Sequence, residues 1–541
     1  MAGLATIVVD LGRENPIVPL ALLVSFSAYS VVRYYRSPWR NVPPGPKGLP
    51  ILGNALELGG SKLWLKLTKW REVYGDVVFL NAAGQPIIVL NSPKAAADLL
   101  DRRASNYSNR PRNVVGSEMM TGGLFMVFKS YGDLWRRMRR ATHEGLSKSA
   151  STVYQPAQVA ESILLALGIL ETPSQWHPHI QRASASFTIN LLYGSDSVAK
   201  KGENVESVAL SDATDSRVAE INDFVARLTS ALLPGSHLVE FFPWMKHIPA
   251  TFAKWKRVAL ASYKKDSVLF EKMMDPVTTG LARGDEPSSL MGRISKDYER
   301  YQLTNRENAW LAATMFAAGS ETTAGVVTWW VQAMILYPEV QARAQAELDA
   351  VVGRDRIPTF ADYEHMPYMR AMAKEALRWH PVDPLGLPHM SVADDIYEGH
   401  FIPANSLIIP NVWLLNQDPL VWGPDAMEFK PERHLDEKGQ LKAVGPPDAR
   451  EESHFTYGFG RRVCVGKHVA NSSLFIEMAM ILWAMNIERP KDASGKPAPM
   501  DLENCIEAGL VVGPMPFDIK VTPRFPEAAT ILEREKDVLK R

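Results

Sequence analysis

A single cysteine, Cys464, lies in the run Tyr457-Gly-Phe-Gly-Arg-Arg-Val-Cys-Val-Gly466, wrapped by glycines and preceded by Arg461 and Arg462. Glycines let a backbone approach a bulky group and turn N–H donors towards a sulfur. Residues 469–487 read as an apolar helix, so a thiolate at Cys464 would gain from that helix's dipole and its free N-terminal donors. A cysteine offered alone as thiolate suits an axial haem ligand, whereas zinc asks for about four clustered ligands. The arginines beside it could meet anionic groups on the same ligand.

Three other constellations could carry chemistry or hold it in place. In Ala318-Gly-Ser-Glu-Thr-Thr323, Ala318 and Thr322 share a helix face, and a threonine hydroxyl can bond the carbonyl four residues back. With Gly319 beside it, that bond makes a groove holding a hydroxyl, a carbonyl and room for water. Glu375 and Arg378 stand three apart on another helix, and Trp135 and Arg139 four apart on a third. By themselves these pairs are ordinary helix-face neighbours.

The elements that must position these residues are mostly helical. Thr304-Asn-Arg-Glu307 is a capping box that opens a helix running to about Leu336. Its 32 residues, at ~1.5 Å each, could cross a whole domain. Further helices are predicted over 338–352 and 367–380, bounded by prolines. Short strands are predicted at 77–80, at 86–90 and around 400–410. The charged tail from Glu527 is expected to be solvated.

The chain has 541 residues, 46% hydrophobic and 22% charged, with neither linker nor repeat, which points to one large domain. Zero net charge argues against nucleic-acid binding. Two cysteines cannot build a disulfide framework and fit a reducing compartment. Residues 16–32 carry no charge and span roughly the thickness of a bilayer core, and Arg33, Arg36, Arg40 and Lys47 follow. The organisation expected is a lumenal stretch 1–15, a transmembrane signal anchor 16–35 and a proline-rich hinge 36–50. A catalytic domain 51–525 on the cytosolic side and a tail 526–541 complete it.

The Cys464 run resembles the haem-binding signature of the cytochrome P-450 superfamily, Phe-x-x-Gly-x-Arg-x-Cys-x-Gly, with Tyr457 standing at the phenylalanine. The 318–323 run resembles that family's oxygen-activation motif. Glu375-Ala-Leu-Arg378 and Pro431-Glu-Arg433 resemble its Glu-x-x-Arg and Pro-Glu-Arg-Phe motifs, with His434 where Phe or Trp is usual. The resemblance implies a mainly α fold with small β-sheets: a single large haem domain behind an N-terminal anchor. It implies haem b with Cys464 as axial ligand, and Tyr457 and Gly466 beside it. Trp135, Arg139, Arg462 and His389 would meet the propionates, and Thr322 and Glu321 would serve oxygen activation and proton delivery. Glu375, Arg378 and Arg433 would form a structural triad. Phe125, Met126, Met315, Ala318, Leu385, Leu387 and Leu510 would contact a lipophilic substrate.

The implied reaction is O2-dependent monooxygenation, with electrons from NADPH through a separate membrane-bound reductase. That reductase would dock on a basic face holding Arg136, Arg137, Arg140, Arg461 and Lys467. The implied location is the endoplasmic reticulum membrane, with residues 238–244 dipping into lipid. The motif texture resembles fungal members that oxidise secondary metabolites or xenobiotics. Two other readings share the cysteine: a reductase-independent peroxide isomerase or dehydratase, and a non-enzymatic haem sensor.

Overall fold

The computed structural model describes residues 36–194, 216–233, 235–508 and 511–539, with isolated positions before residue 36. The anchor expected over 16–35 thus lies almost wholly outside the described residues, and Leu510 lies outside them. Among the described residues, one helical stretch, Ala150–Glu171, is long and apolar enough to cross a bilayer, and most of it is packed inside the protein.

The β-branched runs Val77-Val78 and Ile87-Ile88-Val89 build the hairpin β1 (Val77–Ala82) and β2 (Gln85–Leu90), antiparallel with Val77 opposite Leu90. The principal helices follow in chain order. They are α1 (Asp133–Gly145), α2 (Gln155–Glu171), α3 (Trp176–Tyr193), α4 (Lys254–Met273), α5 (Asn305–Leu336), α6 (Pro338–Val351) and α7 (Pro367–Trp379). After α7 come β3 (His389–Met390) and β4 (Leu407–Pro410), then α8 (Lys467–Ala484). The sheet order is β1-β2-β4-β3, with β4 parallel to β2 and antiparallel to β3. Four more strands, β5 (Met485–Glu488), β6 (Cys505–Ala508), β7 (Val511–Pro514) and β8 (Lys520–Pro523), form two antiparallel pairs, β5–β8 and β6–β7. The chain ends in α9 (Ala528–Leu539).

Helix α5 is the axis of the molecule. Its N-cap is the capping box read from the sequence: Thr304 accepts from the Glu307 N–H, and Glu307 accepts from the Thr304 N–H at 2.8 Å. It is apolar on nearly every face because it is buried on nearly every face. Near its start Trp310 meets the edges of Phe224 and Phe270. Near its end the Trp330 N–H points at the Met372 sulfur on α7.

Two expectations need correcting. The apolar run 469–487 stops being helical at Ala484, because residues 485–488 find a strand partner in β8. Hydrophobic period alone cannot reveal that pairing. The tail is not a solvated segment: α9 buries Ala528, Ile531 and Leu532 in the main core, a stripe at helical spacing on an otherwise charged helix.

Candidate active site

The cysteine loop is built by backbone geometry. Gly460 has φ +58°, and a Cβ there would stand 2.1 Å from the Leu100 carbonyl oxygen, so no other residue fits. The Cys464 N–H donates to the Tyr457 carbonyl at 2.8 Å and closes the loop just before α8. Cys464 has accessible surface yet lies at full depth in the protein, because that surface faces an internal cavity. Burial pushes its thiol up, against the Gly466 N–H and the Arg139 guanidinium, which favour the thiolate. The helix-terminal help expected from the sequence is therefore present but outweighed.

The Tyr457 hydroxyl donates to Asn471 Oδ1 at 2.6 Å, and Asn471 in turn donates to Glu452. The tyrosine at the phenylalanine position thus ties the loop to the first turns of α8. A Cβ at Gly466 would meet no atom, so the backbone there borders open space.

Three arginines line the cavity without an ion pair among the described residues, although Arg110 feels the Asp383 carboxyl across it. Arg462 donates to the Ser108 and Lys129 carbonyls (2.9 and 2.8 Å) and stacks 4.2 Å from the Trp135 ring. Arg139 donates to the Val463 carbonyl at 2.6 Å. Arg110, which the sequence reading missed, spends its donors on the Val127, Leu387 and Pro388 carbonyls. Burial, then repulsion from Arg110 and Arg139, holds the Arg462 guanidinium well below its ordinary value. A guanidinium resists losing its proton, so an anion is the natural relief.

His389 on β3 is buried, with Nδ1 2.7 Å from the Tyr107 carbonyl. That contact makes Nδ1 the protonated nitrogen and leaves Nε2 a bare acceptor. Burial and the flanking arginines push His389 down to about 3, so it is neutral. The acids of the lining are Asp383, pushed up by burial to about 7, and Glu477, pushed up by burial and by Glu161 to about 8.

Across α5, the Thr322 hydroxyl donates to the Ala318 carbonyl at 2.6 Å, the bond expected from the spacing. Ala318, Gly319, Thr322 and Thr323 line the cavity; Glu321 does not, and burial raises its carboxyl. Of the expected substrate contacts, Met126, Met315, Ala318 and Leu387 line the cavity. Phe125 turns instead into a cluster with Phe128 and Phe224, and Leu385 packs with the β1–β2 sheet. Met126 and Gly386, their neighbours in sequence, face the cavity, an orientation that only the fold reveals.

Glu375 is fully buried. It accepts from Arg378 (2.7 and 2.8 Å), Arg433 (2.9 Å) and the Lys430 N–H (2.8 Å). His434 adds a contact at 2.9 Å, a fourth side chain that the sequence reading had not included in the triad. Arg378 spends its other donors on the Asn416, Ala426 and Glu428 carbonyls. None of this network opens on the cavity.

Comparison with known proteins decides what the site belongs to. The family model described as cytochrome P450 matches residues 43–521. The chain belongs to the cytochrome P450 family of monooxygenases. It is 58% identical to a cytochrome P450 monooxygenase of Armillaria gallica over 95% of each chain. It is 44% identical to cytochrome P450 monooxygenase 58 of Postia placenta, over 91% of this chain and 90% of that one. A solved zebrafish cytochrome P450 with abiraterone superposes with TM-score 0.66 at 25% identity, over 85% of this chain and all of the other.

The P450 family implies a haem-thiolate centre, and the donor set fits one. Unpaired guanidiniums suit a dianionic edge, and a buried thiol suits a metal cation that would take it as thiolate. The open space beside Gly466 is the cradle such a group would fill.

Proposed function

We propose that this P450 hydroxylates or epoxidises a lipophilic organic substrate with O2, using haem b held through Cys464 and electrons from NADPH passed by a separate membrane-bound reductase. The observation that carries the reading is that Cys464, the unpaired arginines and Thr322 all open into one largely apolar cavity.

When bound, the haem supplies the reduction of O2 and the transfer of oxygen. The side chains do the remainder. Arg139 and Arg462 hold the propionates, with Trp135 bracing Arg462 by stacking. His389 would join them only after protonation at Nε2, which an incoming dianion would promote by neutralising the Arg110 and Arg462 charges that oppose it. The Thr322 hydroxyl donates its hydrogen bond to the Ala318 carbonyl, so its lone pairs are free to accept from water. Glu321, one residue earlier, lies outside the cavity lining, and its carboxyl, raised by burial, would supply protons to that groove by way of water. Met126, Met315, Ala318 and Leu387 offer apolar contact, which favours an uncharged substrate.

Exposed aromatic residues support attachment to lipid. Phe241, Phe242, Trp244 and Phe252 are each more than half exposed, as they would be if they dipped into a membrane. With an anchor over 16–35, the catalytic domain would sit on the cytosolic face of the endoplasmic reticulum. The reductase would dock on Arg136, Arg140 and Arg461, all exposed. Arg137 and Lys467 contribute less than the sequence suggested, since Arg137 turns to Asp133 and the Gln302 carbonyl and Lys467 pairs with Glu452. The relatives named above are fungal P450 monooxygenases, and the role proposed for this one is in secondary metabolism or xenobiotic oxidation.

The test is the carbon monoxide difference spectrum of the reduced protein in membranes. A strongly red-shifted Soret band that Cys464→Ala abolishes is expected. A band at the histidine-ligated position would overturn the assignment. Turnover of a hydroperoxide without NADPH would replace the monooxygenase with the isomerase reading, and turnover of a small charged acid would sink the lipophilic substrate.

A further inference from the structure

Helices α2, α3 and α8 enclose a polar cluster in the middle of an apolar region. Arg182 donates to Glu161 at 2.8 Å, and Ser186 donates to the other Glu161 oxygen at 2.7 Å. Gln158 donates to Ser473 at 2.8 Å. Glu477 stands one turn beyond Ser473 on α8, and both line the active-site cavity together with Ser184 and Thr188 of α3.

What sets the cluster apart is what is left over. Among the described residues, Glu477 Oε2, Arg182 Nη2, Ser184 Oγ and Gln158 Oε1 have no hydrogen-bond partner, although each residue is at most 4% exposed. Buried polar atoms are almost always paired, and a purely structural ion pair would have closed on itself. Three open positions in the cluster beside the free Glu477 oxygen mark a place for water. The charged groups facing Glu477 are Glu161 from α2 and Arg182 from α3, with His179 beside Arg182. Burial and Glu161 favour the neutral acid, against Arg182.

The cluster also has an exit. Thr188 donates to the Ser184 carbonyl at 2.7 Å. Its side chain lies against Gly319 of α5, where an added Cβ would stand 3.4 Å from Thr188 Oγ1 and Cγ2. That is the turn in which Thr322 bonds the Ala318 carbonyl.

We propose that Glu477 is a proton-donating acid of the active-site cavity, passing its proton by way of Ser184, Thr188 and intervening water to the groove at Gly319 and Thr322. The proposal rests on the reading of Thr322 as the hydroxyl that serves oxygen. Monooxygenation consumes one O2, two electrons and two protons for each product hydroxyl and water. Here Glu477 gives up one of those protons and becomes a carboxylate, whose charge the free Arg182 Nη2 meets. It regains a proton from solvent before the next turnover, and the electrons come from NADPH through the reductase.

The experiment uses the full-length holoprotein and has two readouts. Infrared titration should show a protonated carboxyl C=O band that fades as pH rises through about 8 and is absent from Glu477→Gln. In turnover, Glu477→Gln, Ser184→Ala and Thr188→Val should each divert several-fold more NADPH to peroxide, with KM and haem content unchanged. The two hydroxyl variants leave the charges in place and carry the test if Glu477→Gln does not fold. An unchanged infrared band in Glu477→Gln overturns the proposal. So does wild-type coupling in these variants while Thr322→Ala uncouples. If Thr322→Ala does not uncouple either, the assignment of Thr322 fails and takes the end of the path with it.

Discussion

Two buried carboxylates with an arginine nearby, Glu375 and Glu477, end in opposite states. Glu375 is fully buried and Glu477 is 4% exposed, so desolvation burdens both. For Glu375, burial is overcome by Arg378 and His434, and the carboxyl is held well below the usual range. For Glu477 the arginine is held through Nη1 by Glu161 and makes no bond to Glu477, so burial and Glu161 prevail and the carboxyl rises to about 8. The difference is therefore one of saturation. A carboxylate whose lone pairs are all met stays charged and fixes the fold, whereas one left partly open holds its proton and can exchange it. Position agrees, since Glu477 lines the cavity and the Glu375 network does not.

The largest effect expected from breaking the comparison is at Glu375. Glu375→Gln leaves Arg378, Arg433 and His434 facing a neutral amide in a dry interior, and should cost about 3–5 kcal/mol. Thermal unfolding and the yield of folded holoprotein would measure it, and a variant as stable as wild type would remove the structural role given to the triad.

The pH dependence of stability sharpens the contrast because the two acids have opposite signs. The lowered carboxyl of Glu375 contributes stability above the ordinary carboxylate range, and this is lost as pH falls through that range towards the folded value. Glu477 does the reverse. Between the ordinary range and about 8 the folded chain holds a proton that the unfolded chain has released, so its contribution falls as pH rises. The slope from one such group is at most about 1.4 kcal/mol per pH unit. Denaturant titrations from about pH 5 to about pH 8 should show a shallower decline in Glu477→Gln than in wild type, and parallel curves would contradict the raised carboxyl.

Smaller effects are expected where one bond of a saturated network is removed. His434→Phe restores the aromatic usual in the family and leaves Arg378 and Arg433 on Glu375, so a loss of about 1–2 kcal/mol in chemical denaturation is expected. Tyr457→Phe removes only the bond to Asn471, for about 1 kcal/mol, and should leave the position of the carbon monoxide band unchanged. A moved band would mean that the hydroxyl acts on the sulfur and not on the loop.

Much of this molecule was legible in its residues. The run around Cys464, the Ala318–Thr322 spacing, the Glu375–Arg378 pair and the capping box at Thr304 are local patterns. Local patterns survive in a one-dimensional string because the helix or turn that displays them is made by the same few residues. Arg110 and the Glu161–Arg182–Glu477 cluster carried no such signal, since their partners come from segments far apart in sequence. The orientations of Phe125 and Leu385, the strand at 485–488 and the packing of α9 were likewise settled by neighbours that no window of sequence contains. Residue type and local spacing established which side chains could ligate, donate and pair. Which buried charges are saturated and which remain open was set by the packing of distant elements, because saturation depends on how many donors from separate elements converge on one carboxyl.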